Sequence, residues 1–179
     1  GMSSSAAIEV LLGTAISALY NDSAIPTVEL AKIGQYAENE YMRKPCGLMD
    51  QIACAHGGVV AIDFQNPTQP EVTGIDVDFL SQGYRLAIVD TGGSHEDLTD
   101  SYAAVPAEMR SVAAAFGQET LRGLTMERLL AELPALRDHL GDRAAMRAIH
   151  FVAENERAQE QRDALAAGAI DRFLAFARE

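Results

Sequence analysis

Three short stretches carry residue types that could hold a phosphate, a cation and a proton acceptor. Gly1-Met2-Ser3-Ser4-Ser5-Ala6-Ala7 sets a glycine and three hydroxyls directly before an apolar helical pattern. The unpaired N–H groups and positive dipole end of such a helix attract an anion, and a nucleotide phosphate suits the position. Plain N-capping by the same serines is the alternative. Pro45-Cys46-Gly47-Leu48-Met49-Asp50-Gln51 places Asp50 in the first turn of a short helix, after a rigid Pro and a Gly that admits close backbone approach. Helix-terminal N–H groups hold such an aspartate ionised. It can then orient or receive a hydroxyl proton during phosphoryl transfer, or simply cap the helix. Glu38 stands twelve residues before Asp50, with Glu40 close by in Ala37-Glu38-Asn39-Glu40-Tyr41. Magnesium takes one or two protein oxygens and completes its shell with water and phosphate, so one of these carboxylates and one serine suffice. Solvated glutamates on a helix face are the competing reading. His95, on a glycine-containing loop, and Tyr102, which could offer a hydroxyl to a sugar or pack its helix, are weaker candidates.

Helices and strands must position these groups. Ile8, Leu11, Leu12, Ala15, Ile16 and Leu19 recur at helical spacing, predicting a helix over 3–20 with serines capping its start. Pro26 and Thr27 open a second helix running to about Tyr41, and Leu48 to His56 reads as a third. Gly57-Gly58 turns the chain into a strand at Val59–Phe64, with further strands near Glu71–Val77 and Tyr84–Thr91. After Gly93 the pattern becomes helical: 96–116, 125–133, 136–139, 143–167 and 170–179, separated by Gly117, Gly123, Pro134, Gly141 and Gly168. The fold class is α+β. A domain boundary falls near Asp78–Gly83, giving domains 1–80 and 81–179.

Composition narrows the partners. The 179 residues carry a formal charge of −12, which repels phosphate backbones and anionic lipid, so neither nucleic acid nor membrane is expected as a partner. A nucleotide is not excluded, because backbone N–H groups and a metal ion can hold its phosphates. The two cysteines, Cys46 and Cys54, suit neither a zinc site nor a disulfide framework and fit a reducing cytoplasm.

The serine run, Ala37–Glu40 and Pro45–Gln51, in this order and spacing, resemble the galactokinases of the GHMP kinase superfamily. The similarity continues through Val59–Phe64, Ala87–Asp90 and Phe151–Arg157. The resemblance implies the latter part of a GHMP N-terminal domain, with the phosphate loop and catalytic aspartate, followed by the helical start of the C-terminal domain. It further implies an ATP- and Mg²⁺-dependent kinase that phosphorylates the C1 hydroxyl of galactose or a related hexose. Asp50 resembles the catalytic aspartate, which also touches the sugar. Gly1, Ser3, Ser4 and Ser5 resemble the phosphate cradle, Ser5 (or Ser4) and Glu38 the magnesium ligands, and Gly47 and Tyr102 positions that contact galactose.

Two departures qualify the resemblance. Thr91-Gly92-Gly93-Ser94-His95 stands where galactokinases commonly have Asn-Ser-x-Val-[Arg/Lys]-His, and loss of the basic residue leaves the exact sugar open. The family's sugar-binding motif ahead of the phosphate loop and its glycine-rich third motif are absent. The expectation is therefore a central fragment, inactive alone, whose exposed apolar surface favours self-association. Two other readings stay open: a non-catalytic sugar- and ATP-binding sensor, and a GHMP kinase for another small alcohol.

Overall fold

The computed structural model describes residues 2–90, 92 and 99–178, the side chains at 99, 100 and 102 excepted. The chain forms two compact units, one ending at Val77 and one beginning at Asp78.

The first unit is built on three helices and a hairpin. Helix α1, Ser4–Tyr20, buries Ala6, Val10 and Ser17 and packs against helices α2, Thr27–Tyr36, and α3, Met49–His56. Ser3 sits at its N-cap position but makes no side-chain capping bond, so the expectation of serine capping is not met. Ile8, Leu11, Leu12, Ile16 and Leu19 do lie on the expected helix, yet they point outward, Leu19 with 75% of its surface exposed. A helix apolar all round is suited to burial on both sides, and only one side is covered in this unit. The core is Ala31, Leu48 and Ile52, closed by Ala55, Ile62 and Val72.

The second helix does not run unchanged to Tyr41. After Tyr36 it widens into one π-helical turn, Ala37–Tyr41, closed by Met42 N–H donating to the Ala37 carbonyl at 3.1 Å. Strands β1, Val59–Asp63, and β2, Glu71–Ile75, pair antiparallel, with Val59 opposite Ile75 and Asp63 opposite Glu71. The strand expected at 84–91 is not formed over its described residues. Leu86, Ile88 and Val89 are 71–95% exposed, and among the described residues no neighbouring strand supplies a ladder for them.

The second unit is helical: α4, Thr99–Ala115; α5, Met126–Ala131; α6, Leu133–Leu140; α7, Asp142–Ala166; and α8, Ile170–Phe176. Thr125 caps α5, its hydroxyl accepting from Arg128 N–H at 3.3 Å. Pro134 does not separate two helices as expected. It occupies the first turn of α6, where the missing N–H has no intrahelical partner to lose. Val112, Leu121, Leu124, Leu129, Leu136, Ala148 and Val152 form the core. Glu108 of α4 ties down α7 by accepting from Arg143 Nε at 2.8 Å and from Arg147 Nη1 at 2.7 Å.

Candidate active site

The π turn decides where the carboxylates go. It directs Glu38 inward, where only 3% of its surface is exposed, while Glu40 remains at the surface. Single π turns inside helices often mark functional positions, because the extra residue re-aims a side chain. Glu38 Oε2 accepts from Gln51 Nε2 at 3.0 Å, and Oε1 lies 3.5 Å from Lys44 Nζ. The Ser5 hydroxyl and the Cys46 thiol also face this carboxylate closely enough to stabilise its charge. Burial pushes the Glu38 carboxyl upward, but the donors Ser5 and Cys46, together with Lys44, outweigh it and hold the group below the ordinary value of 4.5. The same neighbourhood acts oppositely on Cys46. Burial, followed by hydrogen bonding to Glu38, pushes its thiol up to about 11.

The segment before α3 is strapped to the π turn. Cys46 N–H donates to Asn39 Oδ1 at 2.8 Å, Gln35 Nε2 donates to the Cys46 carbonyl at 3.2 Å, and Lys44 N–H donates to the Glu38 carbonyl at 3.0 Å. These bonds fix where α3 begins and so place its first turn. Asp50 stands in that turn, half-buried, and among the described residues its carboxylate has no hydrogen-bond or ion-pair partner. Next to it Gln51 is 99% buried and bonded to Glu38, so the aspartate is adjacent in sequence to a fixed point of the network.

Ser3, Ser4 and Ser5 line the start of α1, and Ser3 is held at φ 49°. That left-handed conformation costs an L-residue about 1–2 kcal/mol. With no capping side chain, the first-turn N–H groups of α1 stay open to an anion. Ser4 is exposed, whereas Ser5 faces Glu38. Gly47 is exposed, with no atom within 4 Å of the position its Cβ would take. Gly1 and His95 lie outside the described residues, as does the Tyr102 side chain, although Tyr102 itself belongs to α4. A cleft of about 240 Å³ in the second unit, bordered by Arg122, Phe151 and Asn155 among others, contains none of the candidate site residues.

Residues 1–58 match the GHMP kinases N terminal domain family. Over 170 residues, 93% of this chain, the sequence is 34% identical to the galactokinase of Actinobacillus pleuropneumoniae, covering 42% of that protein. The galactokinase of Streptomyces coelicolor is 34% identical over 181 residues, 95% of this chain and 45% of that protein. The crystal structure of Lactococcus lactis galactokinase complexed with galactose superposes with a TM-score of 0.65 at 26% identity, covering 97% of this chain and 44% of that one. Over most of its length the chain is similar to galactokinases, and its first 58 residues to the N-terminal domain of GHMP kinases. It has their mixed helix-and-sheet fold and spans less than half the length of the galactokinases it matches.

One participant escaped the sequence reading. Glu9 is the only charged residue between Ser4 and Tyr20, and it lies one turn beyond Ser5 on the same helix face. Its isolation in an apolar helix was the available signal. Both of its carboxyl oxygens are sealed from solvent without a hydrogen-bond partner, and so is Gln51 Oε1.

Proposed function

We propose that this chain supplies the phosphate loop, cation ligands and catalytic aspartate of a sugar 1-kinase. The reaction is transfer of the ATP γ-phosphoryl group to the C1 hydroxyl of galactose or a related hexose. The observation that carries this reading is the uncommitted Asp50 carboxylate beside Gln51, whose amide is tied to the same Glu38 that faces Ser5. One polar unit thereby links the starts of α1 and α3 to the π turn, so that a phosphate cradle, a cation ligand and a proton acceptor belong to a single framework.

Ser5 and Glu38 fit magnesium. An ionised carboxylate and a hydroxyl face each other, and a Lys44 ammonium already lies 3.5 Å from the carboxylate, a position that attracts positive charge. The ion would neutralise charge on the ATP phosphates and complete its shell with their oxygens and water. Ser3, Ser4 and the open N–H groups of α1, with Gly1 ahead of them, would hold the phosphates. Asp50 would accept a hydrogen bond from the sugar C1 hydroxyl, aim its oxygen at the transferred group and receive its proton. Gly47, lacking a side chain, would let the sugar approach the backbone.

The test is galactose 1-phosphate formation with Mg·ATP by the product of the full open reading frame that contains this chain. Asp50→Asn should lower kcat by at least about 100-fold, the scale of lost general-base assistance, with the melting temperature unchanged. Turnover that survives the substitution would sink the assignment of Asp50. Ligand binding without turnover on any hexose would favour the sensor, and turnover restricted to another alcohol would move the substrate. The isolated 179-residue chain is expected to show little or no turnover.

A further inference from the structure

The residue that leads the chain toward α3 is held at its backbone and at its sulfur. Cys46 N–H donates to Asn39 Oδ1 at 2.8 Å, its carbonyl accepts from Gln35 Nε2 at 3.2 Å and from Asn39 Nδ2 at 3.5 Å, and its sulfur accepts from Gln51 Nε2 at 3.6 Å. Gln35 on α2 and Asn39 in the π turn, both half-buried, thus direct their amides at one backbone residue. The approach to it is not relaxed coil. Arg43 stands at φ 54°, a left-handed conformation that an L-residue keeps only where the bonds around it impose it. Two residues after Cys46, Leu48 is buried in the core beside Ile52. Between the gripped residue and the anchored one lies Gly47, exposed, with no atom within 4 Å of the position its Cβ would take. Among the described residues its N–H has no acceptor. The Cys46–Gly47 peptide is planar and trans, so a carbonyl held toward Gln35 and Asn39 turns the Gly47 N–H the opposite way, away from those side chains.

We propose that Gln35 and Asn39 are positioning residues that set the orientation of the Cys46–Gly47 peptide and thereby the fit of the sugar at Gly47. The buried Leu48, Gln51 and Ile52 keep α3 docked when the grip is lost, so the displacement is largest at Gly47 and smaller at Asp50. Loss of the grip therefore weakens sugar binding more than it slows the chemical step, and it leaves the nucleotide alone. The kinetic consequence rests on the sugar-kinase reading, but the orientation of the peptide does not.

Two measurements keep these apart. In the product of the full open reading frame that contains this chain, Asn39→Leu should raise KM for the sugar roughly tenfold, the scale of one lost hydrogen bond. It should keep kcat within about threefold and KM for Mg·ATP within about twofold. Gln35→Met, which removes one donor and leaves Asn39 in place, should raise the sugar KM by less. A sugar KM that stays constant while kcat falls in step with thermal stability would make both residues merely structural and overturn the proposal, as would an equal rise in KM for Mg·ATP. The peptide itself is read by NMR relaxation in the 179-residue chain and needs no turnover. The Gly47 amide, although exposed, should have an order parameter of about 0.85 that falls below about 0.6 in Asn39→Leu. A mobile Gly47 in the wild type, or one that stays rigid when Asn39→Leu and Gln35→Met are combined, would refute the grip. A rigid Gly47 loosened by Asn39→Leu, in a protein that turns over no hexose, would uphold the grip and remove only the sugar reading.

Discussion

Replacing Glu38 separates what its charge does for the fold from what it does for a ligand. Glu38→Ala leaves Gln51 Nε2 buried without its acceptor and opens a cavity at a site only 3% exposed. An orphaned buried donor costs about 1–3 kcal/mol, and the lost packing brings the expected total to about 3 kcal/mol. For a chain of this size that lowers the melting temperature by about 6–12 °C. Glu38→Gln keeps the shape and one oxygen that can accept from Gln51. It gives up charge-assisted bonds, but it also sheds the desolvation of a buried anion, so its net cost should stay within about 1 kcal/mol. Mg²⁺-dependent ATP binding, measured by calorimetry, should nevertheless disappear in both variants. Acid stability supplies a second readout. The folded Glu38 carboxyl titrates below 4.5, so its ionised form stabilises the fold fully above that value, and the contribution is lost as pH falls through the folded value. Glu38→Gln should remove this share of the acid-induced loss. A Glu38→Gln protein that melts as low as Glu38→Ala, or that retains Mg²⁺-dependent nucleotide binding, would show the charge to be structural.

Gly34→Ala should destabilise the protein by about 1–2 kcal/mol in denaturant unfolding, although alanine is the better helix former, because its methyl would crowd Glu9 and Gln51 at 3.3–3.4 Å. Cys46, with its thiol pushed up to about 11, should be only about 0.1% thiolate at pH 8 and resist iodoacetamide in the native protein, while denaturation should expose it to rapid labelling by mass spectrometry. Leu11→Lys with Leu19→Lys, at positions 66% and 75% exposed, should reduce concentration-dependent light scattering of the isolated chain without altering its helix content by circular dichroism.

The helices of both units could be read from the sequence because their signals are local: apolar spacing, Pro26 before α2, Gly57 and Gly141 after α3 and α6. The strand expected at 84–91 failed over its described residues for a non-local reason. Val and Ile favour a strand only when another strand lies beside them, and no residue within that segment encodes the partner. The π turn was equally hidden, since Ala37-Glu38-Asn39-Glu40-Tyr41 suits an ordinary helix and the extra residue is imposed by the strap between Asn39 and Cys46. In the candidate site, Glu38 and Asp50 stood out by spacing and by family resemblance. Glu9 did not, because Gly34 and Gln51, which converge with it on one buried spot, lie far from it along the chain.

The wide turn at Ala37–Tyr41 also makes the polypeptide intolerant of small insertions and deletions there. Each residue advances an α-helix by about 100°, so removing one from the turn would restore regular winding but rotate the residues before the deletion by more than a quarter of a circle relative to those after it, the strapped segment among them. The interval from Glu38 to Gln51 thus behaves as a fixed-length gauge. Among natural variants of this chain, substitutions in the turn should be common wherever side chains face outward, as at Glu40 and Tyr41, while length changes should be confined to stretches such as 64–70 between the strands, where the chain is largely exposed.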